Sequence, residues 1–414
     1  MAVKKKKIKL NKEDKNTNIV NIKVVGVGGG GGNAISRMSL DFPRGVEFVA
    51  INTDVQDLEF SSAKKRIHIG KSVTGGLGAG MNPELGAKSA EENKPEIVDA
   101  LAGADLIFLT AGFGGGTGTG ALPIVAEVAR EQGALTIAVV TKPFAFEGAH
   151  RARIAQEGLM KMRDKVDALI VIPNDRIFSV INKDTPIIKA FEEIDNVLKS
   201  AVQGIVDLIV SVGIINVDFA DIKAIIKNAG SAIVGVGIGS GQERCTDAVR
   251  QALNSPLLGV SSEGARGILF GVSGGRDLKM TEINEAASLI SESVDPGAKI
   301  IFGAYNDKRL KQGQVKVTLI ATGFNDASNR SSIGSLFGSS GSVQKDPAVG
   351  ALRRSPEIEA AIQKRKRDPL SIMDTDDGRK KEVESVNDVS ELENEEIKDS
   401  MWDIPTFLRR KKRE

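Results

Sequence analysis

The heptapeptide Gly114-Gly-Gly-Thr-Gly-Thr-Gly120 stands between an apolar run at residues 105–110 and a helical pattern at residues 122–132. The apolar run predicts a buried strand, and Pro123 is tolerated in the first turn of the predicted helix. Glycine at such a junction lets backbone N–H groups approach phosphate oxygens, and the N-terminus of the next helix adds partial positive charge. A turn that is merely tight would not need five glycines and two threonines in seven residues. The segment therefore predicts a phosphate-binding loop of an α/β protein.

A second glycine-rich segment lies earlier in the chain and has the same setting. Residues 21–27 predict a strand, five glycines follow at residues 28–32, and Asn33 opens a predicted helix. Gly26-Val-Gly28-Gly-Gly-Gly31 also satisfies G-x-G-x-x-G, with Asp54 about 20 residues further on. This is the fingerprint of dinucleotide binding, so an NAD(P)-dependent oxidoreductase is an alternative prediction.

The presence of two glycine segments favours a different ligand. A dinucleotide enzyme needs only the first, whereas two segments at neighbouring strand ends can enclose one triphosphate from two sides. Thr117 and Thr119 would add hydroxyl donors to the second segment. We therefore predict a nucleoside triphosphate site and keep the oxidoreductase as the alternative.

Strands and helices alternate along the first half of the chain, which predicts a parallel sheet covered by helices on both faces. Further strands are predicted at residues 46–52, 136–140 and 168–172, and one long helix at residues 186–212 carries apolar positions on both faces. A second block, at about residues 219–323, contains four more predicted strands and is expected to be α+β.

The composition excludes several classes of function. Lys and Arg total 56 against 54 Asp and Glu, so the overall charge does not favour nucleic acid as a partner. One Cys and two His exclude a disulfide framework and a Cys-rich zinc site. No apolar run is long enough to span a membrane, and the basic N-terminus lacks the apolar core of a secretory signal. We therefore predict a cytoplasmic protein.

The sequence changes character after residue 325. Residues 326–401 are rich in charge and poor in aromatic residues, which predicts a disordered linker. Four apolar side chains then precede a basic run from Arg409 to Arg413: Trp402, Ile404, Phe407 and Leu408. This pattern predicts a short peptide that docks on partner proteins, with the basic run in weak contact with anionic lipid. A plain solvated run of charge is the alternative.

Residues 22–323 resemble the tubulin/FtsZ family, and Asp403-Ile-Pro-Thr-Phe-Leu408 resembles the C-terminal peptide of its FtsZ members. The motifs that carry the resemblance are specific and follow the order of the family. Besides Gly114–Gly120 they are Asn52-Thr-Asp54, Gly76-Leu-Gly-Ala-Gly80 with Asn82-Pro83, Pro143-Phe-Ala-Phe-Glu147-Gly148 with Arg151, Ile172-Pro-Asn-Asp175, and Asn216-Val-Asp-Phe-Ala-Asp221.

The resemblance implies a tubulin-like α/β fold with a Rossmann-type parallel-sheet GTPase domain, a long central helix, a second α+β domain and a disordered C-terminal tail. The predicted boundaries are a basic N-terminal extension at residues 1–20, a GTP-binding domain at 21–185, the central helix at 186–213, the α+β domain at 214–325, the linker at 326–401 and a partner-binding peptide at 402–414.

The resemblance also implies roles for individual residues in binding GTP or GDP. The glycine segments would hold the phosphates, with Arg151 near them and Mg²⁺ expected, and Glu147 would meet the ribose. Asp195 would accept the guanine N1–H and N2–H₂, with Phe191 stacked on the base and Asn174 in contact with the base or ribose. Without the resemblance, the spacing of Glu147 and Arg151 is also typical of an ion pair on the surface of a helix, and Phe191 is equally consistent with a core residue. The predicted binding residues are Gly29, Gly30, Gly31, Gly32, Asn33, Gly115, Gly116, Thr117, Gly118, Thr119, Glu147, Arg151, Asn174, Phe191 and Asp195.

The glycine segments contain no obvious base for the attacking water. The resemblance assigns that role to Asp218 and Asp221, on a loop that inserts into the nucleotide site of the next subunit. Asn216 would hold this loop or contact the nucleotide. Taken alone, the same stretch predicts a helix start, with Asp218 as N-cap and Asp221 complementing the helix dipole.

The function implied by the resemblance is a self-assembling GTPase of the bacterial division ring, located at mid-cell. Subunits would associate head to tail, and polymerisation would activate hydrolysis at their interface. Membrane-tethering and regulatory division proteins would bind the C-terminal peptide through Asp403, Ile404, Pro405, Phe407 and Leu408. A tubulin-like scaffold that binds GTP without hydrolysing it is the second alternative.

Overall fold

The computed structural model describes residues 20–324, except residues 41, 44, 183, 212, 256–263 and 308. The predicted N-terminal extension up to residue 19, the linker and the C-terminal peptide lie outside these residues. Ten strands of the described part form one sheet: β1 (Ile22–Val27), β2 (Val46–Asn52), β3 (Lys65–His68), β4 (Leu106–Gly112), β5 (Leu135–Lys142), β6 (Ala168–Pro173), β7 (Gly230–Ser240), β8 (Gly267–Gly274), β9 (Lys299–Asn306) and β10 (Gln314–Thr322).

Helices connect most of these strands. No helix within the described ranges has the length and apolar character needed to cross a bilayer. The α-helices of the described part are α1 (Gly28–Met38), α2 (Val55–Glu59), α3 (Lys71–Thr74), α4 (Pro83–Glu92), α5 (Lys94–Leu101), α6 (Gly116–Glu131), α7 (Ala149–Met162), α8 (Ile187–Val210), α9 (Phe219–Ile226), α10 (Arg244–Leu253) and α11 (Met280–Glu292). Short 3₁₀ segments occur at Ala145–Glu147, Arg163–Lys165 and Asn174–Ser179.

The strand order across the sheet is β3-β2-β1-β4-β5-β6-β7-β10-β8-β9. Every neighbouring pair from β3 to β7 is parallel, whereas β10 is antiparallel to both β7 and β8. The mixed α/β class with a mainly parallel sheet is therefore confirmed. The two predicted blocks share this sheet, because β6 pairs with the first residues of β7.

The order of the strands places the two glycine segments side by side. β1 has β2 on one edge and β4 on the other, so the connections leaving β1 and β4 start at adjacent strand ends. Open parallel sheets bind ligands in the crevice at such a reversal of strand order. The predicted proximity of the two segments thus follows from the observed topology.

Both glycine segments form the first turns of helices rather than free loops. α1 begins at Gly28 and α6 at Gly116, so the predicted starts at residues 33 and 122 were wrong, and Pro123 lies inside α6. The helices begin early because glycine lets them lie directly on neighbouring backbone. A Cβ on Gly31 would collide with the carbonyl oxygen of Thr110, at the end of β4.

Apolar side chains cover both faces of the parallel part of the sheet. Val24 and Phe108 pack on one face in a cluster that includes Val202 of α8. Val25 and Leu109, their neighbours in sequence, pack on the other face beneath α6. Alternation along each strand therefore buries both faces, as the apolar runs in the sequence predict.

Candidate functional site

A cavity of about 260 Å³ opens where α1 and α6 begin, beside the ends of β1 and β4. Most of the predicted nucleotide-binding residues line it, although they come from five separate parts of the chain. The exceptions are Gly31, Gly32 and Thr119. The predicted residues that line the cavity are Gly29, Gly30, Asn33, Gly115, Gly116, Thr117, Gly118, Glu147, Arg151, Asn174, Phe191 and Asp195.

The two glycine segments approach each other more closely than side chains would allow. A Cβ on Gly30 would lie 3.2 Å from the amide nitrogen of Gly112, and one on Gly118 would lie 2.7 Å from the Gly112 carbonyl oxygen. Gly28 also has a positive φ of 71°, which an L-residue rarely adopts. The first N–H groups of two helices are thereby brought to one cavity, and such groups bind anions.

The threonine hydroxyls of the second segment are engaged within the chain. Thr119 Oγ1 accepts a hydrogen bond from the Gly114 N–H at 2.9 Å, and Thr117 Oγ1 lies 2.6 Å from Thr53 Oγ1. We expected both hydroxyls to contact phosphate. Thr117 lines the cavity, which is consistent with that expectation, whereas Thr119 does not line it.

Gly115 is a glycine of this site that packing within the chain does not require. Its backbone is extended, with φ −95° and ψ 175°, and a Cβ there would meet only the Gly80 carbonyl oxygen at 4.0 Å. Because Gly115 lines the cavity, its missing side chain leaves room for a ligand rather than for protein.

We expect Gly115→Ala to lower GTP affinity about tenfold, since the methyl group would displace a phosphate pressed against the N-terminus of α6. The free energy of unfolding should change by less than about 1 kcal/mol, because the conformation suits alanine. Gly118→Ala is the contrasting variant and should mainly lose stability. Titration with a fluorescent GTP analogue and thermal unfolding separate the two; unchanged affinity in Gly115→Ala would place the phosphates elsewhere.

The far end of the cavity combines a carboxylate with an arginine. Asp195 Oδ2 lies 3.3 Å from Nε of Arg37, and the two side chains are 15% and 21% exposed. Burial raises the pKa of Asp195 to about 7, although the Arg37 guanidinium acts in the opposite direction. Arg37 lines the cavity too and was missed by the sequence analysis. Its position four residues after Asn33, on the same face of α1, was the available signal.

Phe191 and Asn174 line the same cavity as Asp195. The Phe191 ring meets the Phe144 ring edge to face, with centroids 5.5 Å apart, so it takes part in core packing and lines the cavity as well. Asn174 is buried, and its Oδ1 atom has no hydrogen-bond partner among the described residues. Buried polar atoms are rarely left unpaired, so this oxygen is available to a donor on a ligand.

Glu147 and Arg151 form the predicted i,i+4 ion pair, with Arg151 Nη1 2.6 Å from Glu147 Oε2. The other carboxylate oxygen of Glu147 accepts the Phe144 N–H at 2.9 Å. Both side chains line the cavity, so the pair belongs to the cavity wall rather than to the open surface. Glu147 and Asp195 are thus both paired with arginine, and neither is a free base.

Asp54, which the dinucleotide fingerprint requires for a ribose, has a different task. Its Oδ1 atom accepts the N–H groups of Gln56 at 3.0 Å and Asp57 at 3.2 Å, so it caps the N-terminus of α2. Asp54 does not line the cavity. This geometry weakens the oxidoreductase alternative.

The proposed catalytic residues stand apart from the cavity of their own chain. Asp218 and Asp221 are exposed around the start of α9, and neither lines the cavity. Asp218 occupies the N-cap position of α9 and Asp221 lies in its first turn, as the plain helix-start interpretation predicts, but the Asp218 side chain makes no capping hydrogen bond. Asn216 Oδ1 accepts the Gly213 N–H at 2.7 Å and so stabilises the loop, one of its two expected roles.

Taken together, the sheet topology and the paired helix N-termini define a nucleotide-binding protein of the tubulin type. Comparison with known proteins agrees. Residues 21–182 match the family described as "Tubulin/FtsZ family, GTPase domain", and residues 230–325 match "FtsZ family, C-terminal domain". The chain belongs to the tubulin/FtsZ family, whose members are GTPases.

Solved structures support this assignment. An FtsZ dimer from M. jannaschii is 45% identical, with 76% of this chain and 93% of that chain covered and a TM-score of 0.71. A point mutant of FtsZ from the same organism is 46% identical, covers 73% and 91% of the two chains and has a TM-score of 0.70. The GTPγS-bound protofilament of CetZ2 from Haloferax volcanii, at 22% identity, 77% and 96% coverage and a TM-score of 0.66, shares the fold.

Proposed function

We propose that this protein is a cytoskeletal GTPase that assembles head to tail and hydrolyses GTP at the interface between subunits. The observation that carries the proposal is the separation of its two functional parts. The cavity holds helix N-termini for phosphates, and both carboxylates that line it are paired with arginine. Asp218 and Asp221, by contrast, are exposed around the start of α9, form no ion pair within the described part of the chain and do not line the cavity. A second subunit would bring the two parts together.

In the proposed mechanism the N-terminal N–H groups of α1 and α6 bind the phosphates of GTP, and Arg151 adds a charge-assisted donor. Asp195 accepts two guanine hydrogens, and Asn174 Oδ1 accepts one from the base or ribose. Mg²⁺ would be held largely by phosphate oxygens, as it is in many nucleotide sites. Asp218 and Asp221 of the next subunit then orient and polarise the water in line with the γ-phosphate.

The same arrangement gives the protein its assembly behaviour. A head-to-tail contact is heterologous, and when its rotation does not close it generates an open filament. Loss of the γ-phosphate at the interface would weaken the contact between subunits, so hydrolysis would limit the lifetime of each filament. The dimer and protofilament described for the similar FtsZ and CetZ2 structures are consistent with self-association.

We further propose a role in cell division, where a filament that turns over could serve as a contractile or guiding scaffold. The similarity to FtsZ from M. jannaschii supports division as the process without favouring a bacterial over an archaeal cell. Mid-cell location and partner binding by the C-terminal peptide, which lies outside the described residues, belong to this proposal.

Sedimentation tests the proposed function directly. Purified protein should pellet with Mg²⁺ and GTP but not with GDP, and phosphate release per subunit should rise steeply above a threshold concentration. Turnover that is independent of protein concentration, without a pellet, would mean that each subunit contains a complete active site. GTP-dependent pelleting without phosphate release would instead support the non-hydrolysing scaffold.

A further inference from the structure

A buried carboxylate ties α8 to the turn between β9 and β10. Asp207 lies in the last turn of α8, and its side chain is 2% exposed. Its Oδ2 atom accepts a hydrogen bond from Arg309 Nη2 at 2.7 Å. Asp307 holds the same guanidinium, accepting from Nε and from Nη2 at 2.8 Å each. Arg309 is therefore held by its own turn through Nε and Nη2, and Nη2 also bonds to α8.

This ion pair flanks the loop that carries the proposed catalytic residues. The loop leaves α8 just after Asp207 and is bonded to β9 before it reaches α9. The N–H groups of Ile214 and Ile215 donate to the Ala304 carbonyl at 2.7 and 3.0 Å, and the Ala304 N–H donates to the Ile215 carbonyl at 2.9 Å. Ala304 precedes Arg309 on the same strand and turn. The loop is thus held by β9 directly and by Arg309 through α8.

The packing beneath the loop leaves little room for adjustment. A Cβ on Gly213 would collide with the Ala304 carbonyl oxygen, and one on Gly303 would lie 2.9 Å from Val217 Cγ2 and 3.1 Å from Leu208 Cδ2. Leu208 in the last turn of α8 and Val217 in the loop both pack against Gly303 of β9. Because this packing is close, a shift of the last turn of α8 would move the loop as well.

Stability alone does not account well for the pair. Burying a carboxylate is costly, and apolar residues of similar size often stabilise a protein as much or more. Burial raises the pKa of Asp207, and the hydrogen bond from Arg309 opposes that effect. An ion pair of this kind fixes the position of α8 relative to the β9–β10 turn, because the guanidinium donates its hydrogen bonds in set directions.

We infer that Arg309 is a positioning residue for GTP hydrolysis: by binding Asp207 it fixes the end of α8 and holds the following loop so that Asp218 and Asp221 meet the nucleotide of the next subunit. This inference rests on the proposed function. Arg309 does not line the cavity, and its effect passes through the backbone of the loop.

The test compares Arg309→Gln, Arg309→Lys and Lys311→Gln in the full-length chain. Lys311 lies in the same turn, is exposed and forms no ion pair among the described residues, so it is the matched control. At protein concentrations well above the assembly threshold, turnover per subunit should fall about tenfold in Arg309→Gln, as misplaced catalytic groups typically cause. Arg309→Lys, which keeps the charge but not the forked donor geometry, should recover only part of it.

Two further readouts separate positioning from plain destabilisation. GTP affinity of unassembled subunits should differ little between Arg309→Gln and the control, because Arg309 does not line the cavity. The melting temperature of Arg309→Gln should fall, since Asp207 then stays buried without its partner, so turnover is compared at a temperature at which both variants are fully folded. Turnover in Arg309→Gln equal to that of Lys311→Gln would overturn the inference, and so would a loss of GTP affinity as large as the loss of turnover. Failure of the unmodified protein to hydrolyse GTP would instead remove the proposed function and this inference with it.

Discussion

Asp221→Asn should bind GTP normally but hydrolyse it at least about a hundredfold more slowly, and its filaments should persist long after the unmodified protein has disassembled. The side chain is exposed, lacks a partner among the described residues and stands apart from its own cavity. Asparagine keeps its size but loses the charge that orients and polarises water, which GTPases require of a water-positioning group. Phosphate release and light scattering, followed together after a pulse of GTP, measure both effects.

The matched control for this variant is Asp247→Asn. Asp247 lies in the first turn of α10 as Asp221 does in α9, so both complement a helix dipole. Loss of that effect costs about 0.3–1 kcal/mol of stability and should be similar in the two variants. Equal turnover in both would show that Asp221 only supports its helix, and the mechanism proposed here would be wrong.

Asp195→Asn should lower GTP affinity about a hundredfold and alter the choice of base. A carboxylate accepts both the N1–H and the N2–H₂ of guanine, whereas an amide accepts one and presents a donor to the other. Losing one partner of a buried charged hydrogen bond costs about 2–5 kcal/mol. Xanthosine triphosphate has a carbonyl in place of the N2 amine, so the amide variant should prefer it. Competition binding with the two triphosphates checks the switch.

Glu192→Gln serves as the control because Glu192 also faces Arg37, with Oε1 3.8 Å from Nη1, but does not line the cavity. It should leave affinity and base preference nearly unchanged. If Glu192→Gln weakened GTP binding as much as Asp195→Asn, the effect would come from freeing Arg37 rather than from losing the base acceptor.

The pKa of Asp195, raised to about 7 by burial, adds a pH dependence to the same prediction. Only the ionised carboxylate accepts both guanine hydrogens, so affinity should increase as pH rises through 7 and level off above it. At pH 6 about a tenth of the carboxylates are ionised, which should weaken binding about tenfold relative to pH 8. The phosphates of the nucleotide also titrate, but Asp195→Asn retains that contribution, so the difference between the two proteins isolates Asp195.

The glycine segments and apolar runs were sufficient to predict the strands that carry the site. β1 and β4 appear close to their predicted bounds because a short β-branched or apolar run bounded by glycine leaves few other conformations. The proximity of the two segments also followed, since adjacent parallel strands end at one edge. The family, too, was evident from motif order and is confirmed by comparison.

The polar stretch between residues 53 and 104 contains secondary structure that the sequence did not predict. The structure places β3 and four helices, α2, α3, α4 and α5, in a region for which the sequence analysis predicted no element. β3 has four residues and is an edge strand, so its apolar pattern is too short to recognise. The helices are short: α4 and α5 pack on α6, α3 packs on α4, and Asn82 caps α4.

Local sequence determined which backbone segments could approach a ligand closely, because the absence of a side chain is a property of each glycine alone. Tertiary structure decided how the polar side chains are used. Arg37 reaches Asp195 only because α1 and α8 lie side by side, and Asp54 caps α2 although its spacing fits a ribose ligand. Asp207 and Arg309 are 102 residues apart and form a pair only through the β9–β10 turn. Such contacts depend on distance in space, which the spacing of residues along a chain does not specify.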